Sequence, residues 1–343
     1  MAKAKKIENL NCETNATQGI ALVLSAKLEE MCEGRAAALD WTDIEGVHAM
    51  RVSSRRLRSA LRDFAPYLPK KISTKSLRTV AHALGAVRDE DVAILMMEKL
   101  GAEAGDEVSA GVELLTEERR RRREQARDAL EKAITEPALQ KLQDDVSAEL
   151  ERATRKSGGK KARAKRKSVT KMRFHNVGAE IILARFRELA GMSRSLYQPF
   201  DTEPLHRMRI AAKRLRYSIE LHTQCWGDEL TPFAKEVGKL QESLGELHDC
   251  DVWLEQLGAR LETFQRSDRG DGKTSPAHSP EQRAALWMFQ HFVKDRTRHF
   301  KNALALWDTW ETTNFPQRLN ETLEGVRDSL ESQTPETRVE HTN

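Results

Sequence analysis

The feature that most constrains this chain is that it repeats itself. Residues 47–62 read VHAMRVSSRRLRSALR, and residues 205–220 read LHRMRIAAKRLRYSIE. At an offset of 158, six positions are identical: His48/His206, Met50/Met208, Arg51/Arg209, Arg56/Arg214, Leu57/Leu215 and Arg58/Arg216. A second pair, LGAVRDEDV at 84–92 and LGELHDCDV at 244–252, agrees at five of nine positions with an offset of 160. Two ordered matches at nearly one offset predict a duplicated unit. The period is far too long for a solenoid repeat. It predicts two homologous halves of about 140–150 residues, each with roughly four main helices.

Helical spacing supports that count. Apolar residues recur three and four apart between the prolines, and no alternating strand pattern is present. The spacing predicts helices over 17–38, 43–66, 73–100, 106–133 and 138–155, then 171–190, 203–226, 231–264, 281–305 and 317–331. The expected fold class is all-α, with two four-helix-bundle halves related by pseudo-two-fold symmetry. The expected layout is a frayed tail at 1–14, a first helical repeat at 15–155, a basic linker at 156–170, a second repeat at 171–314, and a C-terminal helix and tail at 315–343. Residues 266–280, rich in Ser, Asp, Gly and Pro, read as a surface loop.

Composition narrows the function classes. No apolar run reaches the length of a membrane span, and no apolar h-region follows the basic start. Cys12, Cys32, Cys225 and Cys250 form no C-x-x-C pair, which predicts neither a disulfide framework nor a zinc knuckle and fits a reducing cytoplasm. The net charge of +4 conceals an uneven layout. Residues 151–173 hold eleven Lys/Arg and one Glu, a net of +10, so the rest of the chain is at −6. An anionic partner follows from this arrangement rather than from the overall balance.

On a helical wheel His48, Arg51, Arg55, Arg58 and Arg62 fall within about 80° of one another. Met50, Leu57, Ala60, Leu61 and Phe64 lie opposite. The second copy places His206, Arg209, Lys213 and Arg216 on one stripe, with Glu220 where the first has Arg62. A solvated helix face usually mixes signs, because like charges one turn apart repel. Here 48–62 holds five Arg and no acid, and 206–219 holds five basic residues and no acid. The planar guanidinium fork suits phosphate oxygens and is cheaper to desolvate than an ammonium. Two such stripes predict a polyanion ligand, with the histidines as further phosphate contacts when protonated.

Other elements point elsewhere. Glu45-x-x-His48 and Glu203-x-x-His206 have the spacing of di-iron bundles, but both glutamates sit in a first helical turn. There they answer the helix dipole, with Thr42 and Glu45 forming a capping box, and Arg51 and Arg209 would repel a dication. The pairs Asp89/Asp91 and Asp249/Asp251 could hold Mg²⁺ or act as bases, though pairing with facing Arg or Lys is the expected role. Leu84-Gly85 and Leu244-Gly245 are expected to allow close helix approach. Arg119 to Arg123 point all ways around a helix and are offset by Glu117, Glu118 and Glu124. The 155–173 cluster resembles a nucleic-acid arm but lacks interleaved aromatics. No nucleotide-binding loop, nucleophile elbow or H-E-x-x-H motif is present, so nothing in the chain suggests an enzyme or a cofactor.

The two copies of V/L-H-x-M-R-V/I-x-x-R/K-R-L-R, each followed about forty residues later by L-G-x-x-R/H-D-x-D-V, resemble the CHAD family, the conserved histidine α-helical domain. The likeness covers about 15–330. It implies a helical protein that binds inorganic polyphosphate through a basic groove or pore and associates with polyphosphate granules, with granule proteins as unidentified partners. The residues carried over are His48, Arg51, Arg55, Arg56 and Arg58, then His206, Arg209, Lys213, Arg214 and Arg216, with Arg62 added from the stripe. Some relatives carry a triphosphate-tunnel domain ahead of this unit, and nothing before residue 15 would supply one. The alternatives are sequence-independent nucleic-acid binding by the basic arm and a metal-dependent phosphohydrolase built on the aspartates.

Overall fold

The computed structural model describes residues 7–68, 70, 72–154, 169, 171–270 and 279–332. Among them the chain is all-α, with an isolated bridge between Asn15 and Arg173 and no strand. In chain order the helices are α1 (Ala16–Glu33), α2 (Arg35–Ala38), α3 (Ile44–Phe64), α4 (Lys75–Glu103), α5 (Asp106–Ala133) and α6 (Glu136–Thr154). They continue as α7 (Phe174–Ala190), α8 (Thr202–Trp226), α9 (Thr231–Gly270), α10 (Pro280–Thr312) and α11 (Phe315–Ser332).

Several ends depart from expectation for local reasons. The helix expected over 17–38 breaks at Gly34, which separates α1 from α2. The first turn of α3 is capped by Asp43, whose carboxylate accepts from the Glu45 N–H at 2.9 Å. The expected cap, Thr42, instead donates its hydroxyl to Asp40 at 2.6 Å. Helix α9 runs through part of the expected loop to Gly270, and Arg266 pairs with Glu262 one turn back. Helix α10 starts on a Ser279 cap that accepts from Gln282 N–H, with proline at its first turn.

Two expectations at the N-terminus are corrected. The tail expected at 1–14 is packed from Ile7 on: Ile7 and Leu10 are buried, and Gln224 of α8 exchanges hydrogen bonds with the Ile7 backbone at 3.1 and 2.9 Å. Cys12 and Cys225 form a disulfide across 213 residues, a pairing that cysteine spacing could not reveal. That bond withdraws the ground on which a reducing compartment was expected. No helix of the described residues is long and apolar enough to cross a membrane. The expected basic linker at 156–170 lies outside the described residues, Val169 excepted.

Packing follows chain order within each half. Helix α1 lies on α3, α3 on α4 and α4 on α5; α7 lies on α8, α8 on α9 and α9 on α10. The halves meet where α3 touches α8, α5 touches α10 and α1 touches α7. One core cluster centres on Ile20, Leu24, Leu57 and Phe64, and a second on Leu196, Leu215, Leu240 and Phe315. A third forms between the α4–α5 and α9–α10 hairpins, from Met97, Leu115, Leu257 and Met288. Each fully buried side chain of this size contributes roughly 1.5–3 kcal/mol. Gly111 allows the α5–α10 approach, since a Cβ there would collide with the Pro280 carbonyl.

Candidate anion-binding site

The α3–α8 contact brings the two stripes together because each helix turns its apolar side, with Leu57 or Leu215, into a core. What is left facing the seam is basic. Lys213 of α8 has Arg55, Arg51 and Arg62 of α3 and Arg209 of its own helix as the charges that act on it. Arg55 feels Arg51 and Arg216, lies 5.7 Å from the centre of the Tyr217 ring, and has a buried Nε with no acceptor among the described residues. Arg62 is exposed and stands by Arg58, Arg185 and Arg214. The stripe residues Arg51, Arg55, Arg62, Arg209, Lys213 and Arg216 thus form one cluster, with Arg58 beside it.

Burial and mutual repulsion act together on these groups. Burial, then Arg55, Arg209, Arg51 and Arg62, push the Lys213 ammonium down to about 7. Burial is also the main cause that lowers Arg55 and Arg209. No acid pairs with Arg55, Arg58, Arg62 or Lys213 among the described residues, which leaves a fixed excess of positive charge in a partly desolvated seam.

The acids that are present sit at the edges. Asp89 accepts from Arg51 at 3.1 Å, and Asp249 lies 4.0 Å from Arg209. Asp91 lies 3.8 Å from Arg123 of α5, and Asp251 accepts from Arg296 of α10 at 2.5 Å. All four aspartates face arginine, as expected of a structural role. Gly85 and Gly245 stand against the Arg51 and Arg209 Nε atoms, and an added Cβ would meet them at 3.8 and 3.9 Å, ordinary contact. These glycines therefore do not enforce the close helix approach expected of them.

Two residues carried over from the family pattern are turned from the stripes into ion pairs with acids. Arg56 points to Glu30 of α1 at 3.9 Å and Glu220 of α8 at 3.5 Å. Arg214 pairs with Glu188 of α7. Both lie on the flank of their helices, about 100° from Arg55 and Lys213, so they clasp neighbouring helices. Glu220 also accepts from Arg216 Nε at 2.7 Å, and Arg216 donates to Gln241 at 3.3 Å. The sequence reading missed Glu30, Glu188, Tyr217 and Gln241. Glu30 and Glu188 had a signal: Lys27-x-x-Glu30 and Arg185-x-x-Glu188 lie at the same 158-residue offset and both close i,i+3 ion pairs, at 2.6 and 2.7 Å.

The histidines head the stripes but differ in company. His48 Nδ1 is buried with no partner among the described residues, and burial, then Arg88, lower its pKa. His206 Nδ1 lies 3.2 Å from His248 Nδ1. Burial and the neighbouring Arg209 push His248 down to about 4, and burial lowers His206 as well. Glu45 and Glu203, the possible metal partners, lie 3.7 Å from Arg88 and 3.9 Å from Arg207. Four of the five consecutive arginines on α5 are likewise spoken for: Arg119 by Glu90, Arg120 by Glu98, Arg122 by Glu118 and Arg123 by Asp91.

Comparison with known proteins bears on the family and the fold. The family model described as the CHAD domain matches residues 22–258, more than half of the chain. A crystal structure of the CHAD domain from the plant Ricinus communis superposes with a TM-score of 0.65 at 20% identity, covering 89% of this chain and 96% of that one. At that identity the likeness shows the fold. No curated protein matches the sequence.

Proposed function

Since the chain belongs to the CHAD domain family, we propose that it binds inorganic polyphosphate, without chemical turnover, in the basic seam between α3 and α8. The observation that carries this reading is the company of Lys213: four guanidiniums from two helices act on a partly buried ammonium, and among the described residues no carboxylate pairs with it. Repulsion of that kind costs stability in the free protein. A ligand with closely spaced negative charges relieves it. Guanidinium forks would receive phosphate oxygens, and condensed counterions released from the chain would add a favourable, salt-dependent term.

The two halves are read here as related by a pseudo-two-fold axis through the seam. Support comes from ion pairs that recur in both halves: Arg51–Asp89 with Arg209–Asp249, and Arg56–Glu30 with Arg214–Glu188. Such an axis would let one extended ligand be gripped by both stripes. The aspartates are engaged by arginine, which favours binding over a metal-dependent hydrolysis built on them. Association with polyphosphate granules follows from the same ligand.

The test is a titration with polyphosphate, RNA and DNA of matched total charge at one fixed salt concentration. Polyphosphate is expected to bind tightest and to displace either nucleic acid, with no orthophosphate released in Mg²⁺. Preferential binding of RNA or DNA would transfer the site to nucleic acid, and release of orthophosphate would make the protein a hydrolase.

A further inference from the structure

The seam contains two kinds of positive charge. Arg51, Arg55, Arg62, Arg209 and Arg216 keep their protons at any ordinary pH. Lys213 and the His206–His248 pair do not have to. We propose that the seam binds its polyanion together with protons, taken up at Lys213 and at the His206–His248 pair, so that affinity is set by pH across the neutral range. This rests on the polyphosphate reading above and adds a regulation to it.

The charge around Lys213 is the first support. The guanidiniums whose charge acts on it are Arg51, Arg55 and Arg62 of α3 and Arg209 of its own helix. His206 of α8 and His248 of α9 also feel its charge. The nearby acids are engaged elsewhere: Asp89 of α4 by Arg51, Asp249 of α9 by Arg209, Glu220 by Arg216 and Arg56, and Glu188 of α7 by Arg185 and Arg214. Among guanidiniums that cannot release a proton, the lysine is the group that can lower the repulsion. Its ammonium is accordingly pushed down to about 7, by burial first and then by Arg55 and Arg209.

The histidine pair is the second support. With Nδ1 atoms 3.2 Å apart, one ring donates and the other accepts. A second proton on both rings would set two N–H donors against each other. The pair therefore stays neutral or holds one extra proton, and burial beside Arg209 disfavours even that one. Phosphate oxygens entering the seam supply the missing counter-charge. The Lys213 Nζ lone pair and one imidazole nitrogen then take protons from the buffer, and no other bond changes. Below about pH 7 Lys213 is already charged and the ligand binds without that cost, whereas the histidine pair, held lower, charges only in more acid solution. Above neutrality each proton must be drawn from an increasingly basic solution, so affinity falls.

The experiment is isothermal calorimetry of the full chain with long-chain sodium polyphosphate, in buffers of different ionisation enthalpy. Long chains keep titratable chain ends few. Near pH 8 the heat is expected to depend on the buffer, corresponding to about one proton taken up, and Kd is expected to weaken roughly tenfold between about pH 7 and pH 8.5. Lys213→Arg, checked for fold by circular dichroism, is expected to bind, to lose that uptake and to flatten the profile above pH 7. It should keep the histidine-driven rise in affinity below about pH 6.5. A wild-type protein that binds with one Kd across this range and with buffer-independent heats overturns the inference. So does a Lys213→Arg variant that retains the full profile. Absence of polyphosphate binding at every pH overturns the function proposed above, and this inference with it.

Discussion

The two stripes are built alike and charged differently. In the first, His48 has Arg88 beside it, and the line continues through Arg51, Arg55 and Arg58 to Arg62. In the second, His206 faces His248, Lys213 stands where the first has Arg55, and Glu220 stands where it has Arg62. Contacts that hold helices together recur in both: Lys27–Glu30 and Arg185–Glu188, Arg56–Glu30 and Arg214–Glu188, Arg51–Asp89 and Arg209–Asp249. The difference separates two demands on one scaffold. Packing fixes the pairs that clasp neighbouring helices, whereas positions facing the seam need only be cationic. Between the two, the first stripe has an arginine where the second has Lys213, whose charge depends on pH and on ligand.

The largest effect should come from reversing both stripes at once. Replacing Arg51, Arg55, Arg209 and Lys213 with Glu is expected to lower polyphosphate affinity more than about a thousandfold, since each charge-assisted contact is worth roughly 1.5–3 kcal/mol. Helicity by circular dichroism should be kept. Reversing one stripe at a time sharpens the comparison: the Arg209/Lys213 pair should cost less at pH 8 than at pH 6, because at the higher pH Lys213 is largely neutral in the free protein. For the intact chain, seven contacts (Arg51, Arg55, Arg58, Arg62, Arg209, Lys213 and Arg216) imply a log–log salt slope near −5, by analogy with single strands at about −0.7 per contact. A slope that one stripe accounts for alone would mean that the halves do not share a ligand.

Much of this was legible in the sequence because helical periodicity and duplication are both local patterns. The stripes could be drawn from the spacing of Arg51, Arg55, Arg58 and Arg62, and their union at the seam from the opposite placement of Leu57 and Leu215. Arg56 and Arg214 show where motif reading runs out. They match the family pattern residue by residue, yet a turn of about 100° aims them at acids on α1 and α8, and on α7. The Cys12–Cys225 bond and the core shared by the α4–α5 and α9–α10 hairpins join residues far apart in the chain, and no local pattern encodes them. Tyr217 looked like any polar-face residue until α3 set Arg55 against it.

A contact present in only one half tests how the halves are joined. The fully buried carboxylate of Asp63, on α3, accepts from Arg185 of α7 at 2.8 Å and from Ser218 of α8 at 2.8 Å. At the same 158-residue offset the second copy has Leu221, so no mate exists for this pair. Asp63→Asn keeps the shape but leaves the Arg185 guanidinium short of its counter-charge. Breaking one side of a buried pair costs about 3–5 kcal/mol, which should appear as a lower denaturation midpoint. Polyphosphate Kd measured on the folded variant at low temperature should change less than about threefold, because the Asp63 carboxylate is fully buried and turned to Arg185 and Ser218. A midpoint loss near zero would show that apolar contacts alone hold α3 against α7 and α8.

The smallest effect carries the sharpest sign. In the unfolded chain Lys213 titrates near 10.5, and in the fold its ammonium is pushed down to about 7. The unfolded state therefore binds this proton more tightly. Its linked contribution to stability is fully favourable only above about pH 10.5, and it is lost as pH falls from there to about 7, below which it is constant. Lys213→Met keeps much of the stem's packing and removes the charge. It should raise stability at pH 7 on the order of 1–2 kcal/mol, after allowing for solvent screening of a partly exposed group, with no gain near pH 10.5. The same change should weaken polyphosphate binding. Applied to Arg55 at the corresponding place in the first stripe, Arg55→Met should weaken binding too and, by removing the largest of the repulsions that push Lys213 down, should show a smaller gain in stability at pH 7 relative to pH 10 than Lys213→Met. Urea denaturation of both variants at about pH 7 and pH 10 decides the matter. Equal pH profiles for the two would mean that the stripes differ in sequence only, and not in how they hold their charge.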